Sequence, residues 1–242
     1  MTNSDKPVAV VTGGSAGLGL ALARGLLDRG WRVVIDGRRA GLLEAAAELL
    51  RIGGGDVVAI AGDVTDAGHR EELAAAVGER LDLLVNNASH LGPSPQPPLA
   101  AYPLDELRRV YEVDVIAPIA VVQRLLPALI AARGIVIDIS SDAAVEAYEG
   151  WGGYGSAKAA LDHATRVLAA EHPDLAVYAV DPGDLRTAMH QAAFPGEDIS
   201  DRPEPVTVVP AFLRLIDTRP PSGRYRAADL AGQATKNAEV GA

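Results

Sequence analysis

The stretch Val8-Ala-Val-Val-Thr-Gly-Gly-Ser-Ala-Gly-Leu-Gly19 decides the fold. Four apolar, mostly β-branched residues predict a buried strand, and the glycines predict a tight turn. Leu20, Leu22, Leu26 and Leu27 then continue with the spacing of a helix. Glycine permits positive φ and lets a phosphate approach the backbone without a Cβ in the way. The helix start offers unpaired N–H groups and the positive end of its dipole to a diphosphate. No Gly-Lys-Ser/Thr follows, so a P-loop is excluded. The spacing Gly13-x-x-x-Gly17-x-Gly19 also differs from G-x-G-x-x-G, and by itself the turn leaves a structural reading open.

Working outward, five more short apolar runs predict strands: Arg32 to Ile35, Val57 to Ala61, Leu83 to Val85, Ile135 to Ile139 and Ala176 to Val180. They are apolar throughout rather than alternating, as in parallel strands covered on both faces. Segments of helical period lie between them, at Leu18 to Arg29, Leu42 to Leu50, Ala67 to Glu79, Leu104 to Ala132 and Tyr154 to Glu171. The repeated βα order predicts an α/β fold with a doubly wound, Rossmann-type parallel sheet. No composition shift marks a second domain, so residues 1–242 read as one, with 231–242 a small, polar candidate for a frayed tail.

The 242 residues are 48% hydrophobic and 22% charged, enough for a sizeable core. A net charge of −10 argues against nucleic acid and anionic membrane surfaces as partners. The chain has no Cys, which removes thiolate catalysis and Cys-based zinc sites, and its five His show no metal-ligand spacing. The stretch Val113 to Ala132 is interrupted by Asp114, Pro118, Gln123, Arg124 and Pro127, against the roughly 20 apolar residues of a membrane span. The N-terminus has no signal-peptide pattern, and a cytoplasmic protein is expected.

Chemistry concentrates where strands end. Tyr154-Gly-Ser-Ala-Lys158 sets a phenol and an ammonium at i and i+4 of one helix. The charge there can favour the phenolate, and lowering the phenol by about three units from 10 would half-ionise it near neutrality; the other reading of the pair is an exposed Tyr beside a solvated Lys. Lys6 and Lys236 lie near the termini, which leaves Lys158 as the internal lysine. Ser140-Ser141 follows the strand ending at Ile139, where a hydroxyl either polarises a carbonyl or caps a turn. Asn86-Asn87-Ala88 follows another strand.

Taken together, the chain resembles the short-chain dehydrogenases/reductases, in the family's short, single-domain branch. Thr12-Gly13-x-x-x-Gly17-x-Gly19, Asp63-Val64, Asn86-Asn87-Ala88, Ser141, Tyr154-x-x-x-Lys158 and Pro182-Gly183 with Thr187 occur in family order and at family spacings. Ser222-Gly223-Arg-Tyr225 looks like the family's last strand. The resemblance implies a hydride transfer between a nicotinamide cofactor and a carbonyl or secondary alcohol. Tyr154 would be the general acid/base, and Ser141 would hold the substrate oxygen. Lys158 would bind the nicotinamide ribose and lower the Tyr154 pKa. Gly13, Ser15, Gly17, Leu18, Gly19, Asp63, Val64, Asn87, Ala88, Pro182, Gly183 and Thr187 would line the dinucleotide. Relatives pair their long helices about a twofold axis, so a homodimer or homotetramer is expected, built on Val121, Val122, Leu125, Leu129 and Leu161.

Two departures matter. Asp114 stands where many relatives carry a catalytic Asn, and a carboxylate cannot donate the amide hydrogen bond. It could instead pair with Lys158, and a cofactor-binding regulator or scaffold with impaired turnover is the alternative reading. Ser89 stands where Gly is commoner. At the second strand, the acid of NAD-using relatives aligns with Gly37, so Asp36 should point away from the ribose. Gly37 leaves room for a 2′-phosphate, and Arg38, helped by Arg39, can supply a guanidinium fork to it, which favours NADP over NAD. Tyr148, Trp151, Met189 and Phe194 are candidates for an apolar substrate pocket. Asp142, Glu146 and Glu149 are either a solvated loop cluster or a bias toward polar or cationic substrates, and His90 and His190 are further pocket candidates.

Overall fold

The computed structural model describes residues 6–230. Seven strands form one all-parallel sheet in the order β3-β2-β1-β4-β5-β6-β7. They are β1 (Val8–Val11), β2 (Arg32–Gly37), β3 (Asp56–Ala61), β4 (Leu83–Asn86), β5 (Ile135–Ile139), β6 (Ala176–Asp181) and β7 (Gly223–Arg226). Each predicted run is a strand, and β7 coincides with the stretch picked out by resemblance. The tail 231–242 lies outside the described residues.

Burial on both faces explains the unbroken apolar runs. Ala9, Val11, Val33, Ile35, Ile137 and Val180 face α1 (Gly17–Leu27), α2 (Ala40–Arg51) and α8 (Val209–Thr218). Their neighbours Val10, Val34, Leu84, Val136 and Val177 face α3 (Ala67–Val77) and α5 (Ala117–Ala132). Helix α3 begins where the Asp66 carboxylate accepts the Gly68 and His69 N–H groups.

The long helical pattern from Leu104 is subdivided. Helix α4 (Leu104–Tyr111) passes through one π turn, Glu112–Ile116, into α5. Pro127 sits inside α5 without ending it, so 104–132 is helical throughout and is long and apolar enough to cross a membrane by length and composition. That corrects the expectation that Asp114 and the prolines rule such a stretch out. Val121, Leu125 and Leu129 nevertheless pack it into the core on the sheet. The apolar surplus expected to drive assembly is absent from the named positions: Val121, Val122, Leu125, Leu129 and Leu161 are all buried within the chain. Leu104, Ile116, Ile130 and Val167 are the exposed apolar side chains on these helices instead.

Helix α6 (Gly152–Glu171) carries Tyr154 and Lys158. The short α7 (Ala188–Ala193) and the amphipathic α8 were not anticipated. Between β1 and β4 the chain's direction of winding reverses, opening a crevice at the carboxyl ends of the strands.

Candidate active site

The glycine loop forms one wall of that crevice. Gly13 (φ +66°) and Gly17 (φ +56°) adopt the left-handed conformations that glycine accepts without strain. A Cβ on Gly13 would lie 3.0 Å from both the Ala88 backbone and the Asn87 side chain. Gly19 does not face the crevice; it lets α1 lie against Asn87, whose Nδ2 would sit 2.5 Å from an added Cβ. The N-cap of α1 is Ala16, which has no side chain to satisfy the first-turn N–H groups, and that turn contains no acid. This wall therefore suits a diphosphate.

Thr12 ties the loop to β4. Its Oγ1 accepts hydrogen bonds from the Asn87 and Ala88 N–H groups at 2.9 and 3.0 Å. The Asn87 amide in turn donates to the Thr12 and Gly13 carbonyls. Asn86 points elsewhere and donates to buried Asp138 at 2.8 Å.

The crevice has two compartments. One, of about 370 Å³, is lined by Gly13, Gly17, Leu18, Asn87, Ala88, Ser141, Tyr154, Lys158, Pro182, Gly183 and Thr187. The second is lined by Gly13, Ser15, Gly37, Arg38, Arg39, Asp63, Val64 and Ala88. The candidate residues are thus brought together, with two exceptions: Gly19, and Asp114, which is fully buried behind Lys158. An added Cβ on Gly37 would come 3.2 Å from Ser15 Oγ. Asp36 is buried, its Oδ1 accepting the Gly13 N–H at 2.6 Å and its Oδ2 lying 3.1 Å from His69 Nε2. Burial pushes the Asp36 carboxyl up, although His69 and the Gly13 N–H pull it down. His69 is raised in return, chiefly by its hydrogen bond to Asp36. Asp63 loses some solvent, which raises it, but its bonds from Thr65 and the charges of Arg38 and Arg109 hold it below the usual carboxylate range.

In the first compartment, Tyr154 is buried among Leu91, Ala143, Trp151 and Met189. Lys158 Nζ donates to the Ile139 carbonyl at 2.9 Å and lies 3.3 Å from Asp114 Oδ1. The ammonium sits 5.4 Å from the Tyr154 ring centroid. Burial raises the Tyr154 phenol above its ordinary value, and Lys158 only partly offsets this. The expectation of a lowered phenol is therefore reversed: sequence spacing supplied the cation but not the cost of desolvation. For Lys158, burial pulls down, yet Tyr154 and Asp114 outweigh it and the group is raised.

The Ser141 hydroxyl donates to Asp142 Oδ1 at 3.0 Å and accepts from the Ala143 N–H, so it caps a turn while facing the cleft. Thr187 caps α7 in the same dual manner. Of the acidic cluster, Asp142 lines the cleft and Glu146 and Glu149 do not. Trp151 and Met189 line it, whereas Phe194 packs on Trp151 at 5.9 Å and Tyr148 is exposed. His190 lines it and His90 does not.

Arg224 was missed as a site residue, having been read only as part of a last strand. From β7 it donates to the Ser141 carbonyl at 2.8 Å and reaches Asp162 and Asp181. Asp181 Oδ1 accepts the Gly183 N–H, so one guanidinium braces the ends of both β5 and β6. An isolated Arg in a short strand carries no sequence signal of such a role.

A doubly wound sheet with a glycine loop at its switch point and a buried Tyr/Lys pair opposite defines a dinucleotide-dependent type of site. The family described as short chain dehydrogenase matches residues 7–198, and the chain belongs to it. It is 39% identical to serine 3-dehydrogenase of Agrobacterium fabrum, over 63% of this chain and 60% of that protein. It is also 39% identical to the rhamnolipids biosynthesis 3-oxoacyl-[acyl-carrier-protein] reductase of Pseudomonas aeruginosa, over 68% and 66%. Each match thus spans less than two thirds of the relative's own length. Among solved structures, the short chain dehydrogenase of Shigella flexneri superposes with a TM-score of 0.84 at 28% identity, covering 91% of this chain and 90% of that one. An Escherichia coli structure complexed with NADPH gives 0.85 at 28%, covering 91% and 96%.

Proposed function

We propose that the chain is an oxidoreductase that interconverts a small-molecule carbonyl and secondary alcohol, with NADP(H) preferred over NAD(H). The observation that carries this reading is the convergence of Tyr154, Lys158 and Ser141 on the cleft whose other wall is the glycine loop. The dinucleotide, when bound, supplies or takes up the hydride. Tyr154 then gives its proton to the carbonyl oxygen or takes one from the alcohol. Ser141 Oγ holds that oxygen, and Lys158 offers its ammonium to the ribose. Leu91, Trp151 and Met189 keep water from the phenol.

Cofactor preference rests on the second compartment. Asp36 is committed to Gly13 and His69, Gly37 offers no side chain, and Arg38 and Arg39 stand at the rim. The NADPH complex of the structural relative points the same way. The reading extends to one domain performing both binding and chemistry, in a cytoplasmic homodimer or homotetramer.

The decisive experiment is a spectrophotometric screen of ketones and alcohols, including 3-hydroxy acids and 3-oxoacyl thioesters suggested by the relatives, against NADPH and NADH. Turnover of any of them supports the assignment. Tight cofactor binding without turnover across the panel would favour the regulator or scaffold reading, which the Asp114–Lys158 contact keeps open.

A further inference from the structure

His69 has no part in the chemistry above, yet it is buried behind the glycine loop. Its imidazole leaves α3 and lies against Gly62, just past β3, where an added Cβ would come 2.1 Å from Nδ1. Nδ1 has no hydrogen-bond partner among the described residues, so Nε2 is the nitrogen that donates, to Asp36 Oδ2 at 3.1 Å. Asp36 Oδ1 accepts the Gly13 N–H at 2.6 Å, and the Asp36 backbone carbonyl accepts the Gly14 N–H at 2.9 Å. One chain of hydrogen bonds thus runs from α3 through the end of β2 to the loop.

An ionised carboxylate only accepts. With Gly13 on one oxygen and His69 on the other, the Asp36 side chain is fixed at both ends. Without the His69 donor, Oδ2 would be a buried acceptor with no partner, a cost comparable to what the Gly13 bond contributes. The pair is neutral while it holds a proton and carries one negative charge once that proton is lost. That charge lies under the wall suited to a diphosphate, where it opposes an anion.

The other charges acting on His69 are acids: Glu72 on its own helix and Asp63 after β3. Cations on and around α3 are engaged elsewhere, Arg124 of α5 with Glu71, Arg32 of β2 with the Ala76 carbonyl and Arg70 with the Val64 carbonyl. The hydrogen bond to Asp36, together with the charges of Asp36 and these acids, holds the imidazole above its ordinary value against the pull of burial.

We propose that His69 is a positioning residue of the dinucleotide site: through Asp36 it holds the glycine loop in its binding shape, and the proton shared by the pair strengthens cofactor binding. By linkage, a bound dinucleotide makes the pair hold that proton more tightly. The coupling is one of equilibrium, and no proton crosses the core during turnover. The role rests on the oxidoreductase reading above, but one arm of the test does not.

That arm is ¹H–¹⁵N NMR of the full-length protein without cofactor. The Gly13 amide shift should follow the titration of the His69 ring in the wild type. In His69→Gln, whose amide still donates to Asp36 but does not titrate, that inflection should vanish. In the second arm, the Kd of NADPH and of NADH is measured by fluorescence from pH 6 to pH 9. His69→Leu removes the donor and should raise both by about fivefold or more across the range. His69→Gln should approach the wild type at pH 9 and bind at least about threefold more weakly at pH 6. The 2′-phosphate of NADPH titrates as well, but it is common to both proteins and cancels in their ratio. A Gly13 amide that ignores the His69 titration overturns the proposal, and so does a ratio of His69→Gln to wild-type Kd that stays constant with pH. A Gly13 amide that follows His69 in a wild type binding neither cofactor would count against the oxidoreductase reading alone.

Discussion

Asp36 accepts the Gly13 N–H at 2.6 Å, so the acid at the end of β2 holds the glycine loop from beneath. In this chain, losing the Asp36 carboxylate should weaken binding of NADP and NAD together instead of exchanging one for the other. Asp36→Asn, measured by the Kd of both cofactors, should raise both by a similar factor. A selective loss of NAD(H) use would place the acid at the ribose.

Discrimination should reside one and two residues further on. Arg38→Ala removes a charge-assisted contact to a 2′-phosphate and should cut the NADPH/NADH ratio of kcat/KM by about tenfold or more. Gly37→Asp should carry the ratio further toward NADH by adding an acid beside Ser15. Unchanged ratios in both variants would refute the assignment.

Because burial raises the Tyr154 phenol, the group is a neutral acid throughout the neutral range. Carbonyl reduction should stay level with pH through neutrality and decline only in alkali. Alcohol oxidation, which needs the phenolate, should accelerate as pH rises. Tyr154→Phe should remove turnover in both directions and leave cofactor affinity within a few fold. A reduction profile falling near pH 7 would mean a lowered phenol after all.

The His69–Asp36 pair links stability to pH. His69 is raised above 6.5, so its contribution is complete below 6.5 and fades as pH climbs through the higher folded value. The raised Asp36 acts in the same direction. The Tm difference between wild type and His69→Gln should be larger at pH 6 than at pH 9. A constant or growing difference would show that the pair is not titrating.

Arg224→Ala leaves Asp162 and Asp181 buried without their cation, a loss of about 3 kcal/mol in unfolding free energy. It also frees the Ser141 carbonyl, so KM for the carbonyl substrate should rise more than the cofactor Kd. Denaturant unfolding and steady-state kinetics read the two effects separately.

The strands were legible because burial on both faces leaves an apolar run, as at Val8–Val11 and Ile135–Ile139. The site was legible where backbone geometry demands a residue, as at Gly13, or where a family spacing exists, as for Tyr154 and Lys158. What escaped the sequence was long-range partnership. Arg224 meets Ser141 across 83 positions, and His69 meets Asp36 across 33. Such pairs are made by sheet order, which local periodicity does not encode. The phenol's ionisation escaped for a related reason, since Leu91, Trp151 and Met189 come from three separate segments.

The π turn at Glu112–Ile116 sets what length changes this helix can absorb. One extra residue in a turn advances everything after it by about 100° around the axis. Before it, Val110 looks toward Ala157 on α6; after it, Val121, Leu125 and Leu129 look toward the sheet. In a regular helix Val110 and Val121, eleven residues apart, would lie within about 20° of one another around the axis; the extra residue between them turns the side chains of α5 away from the direction of Val110. Deleting any single residue of 112–116 would restore ordinary winding and turn either Asp114 away from Lys158 or α5 away from the sheet. Side chains along this helix can be exchanged one at a time, but their count cannot.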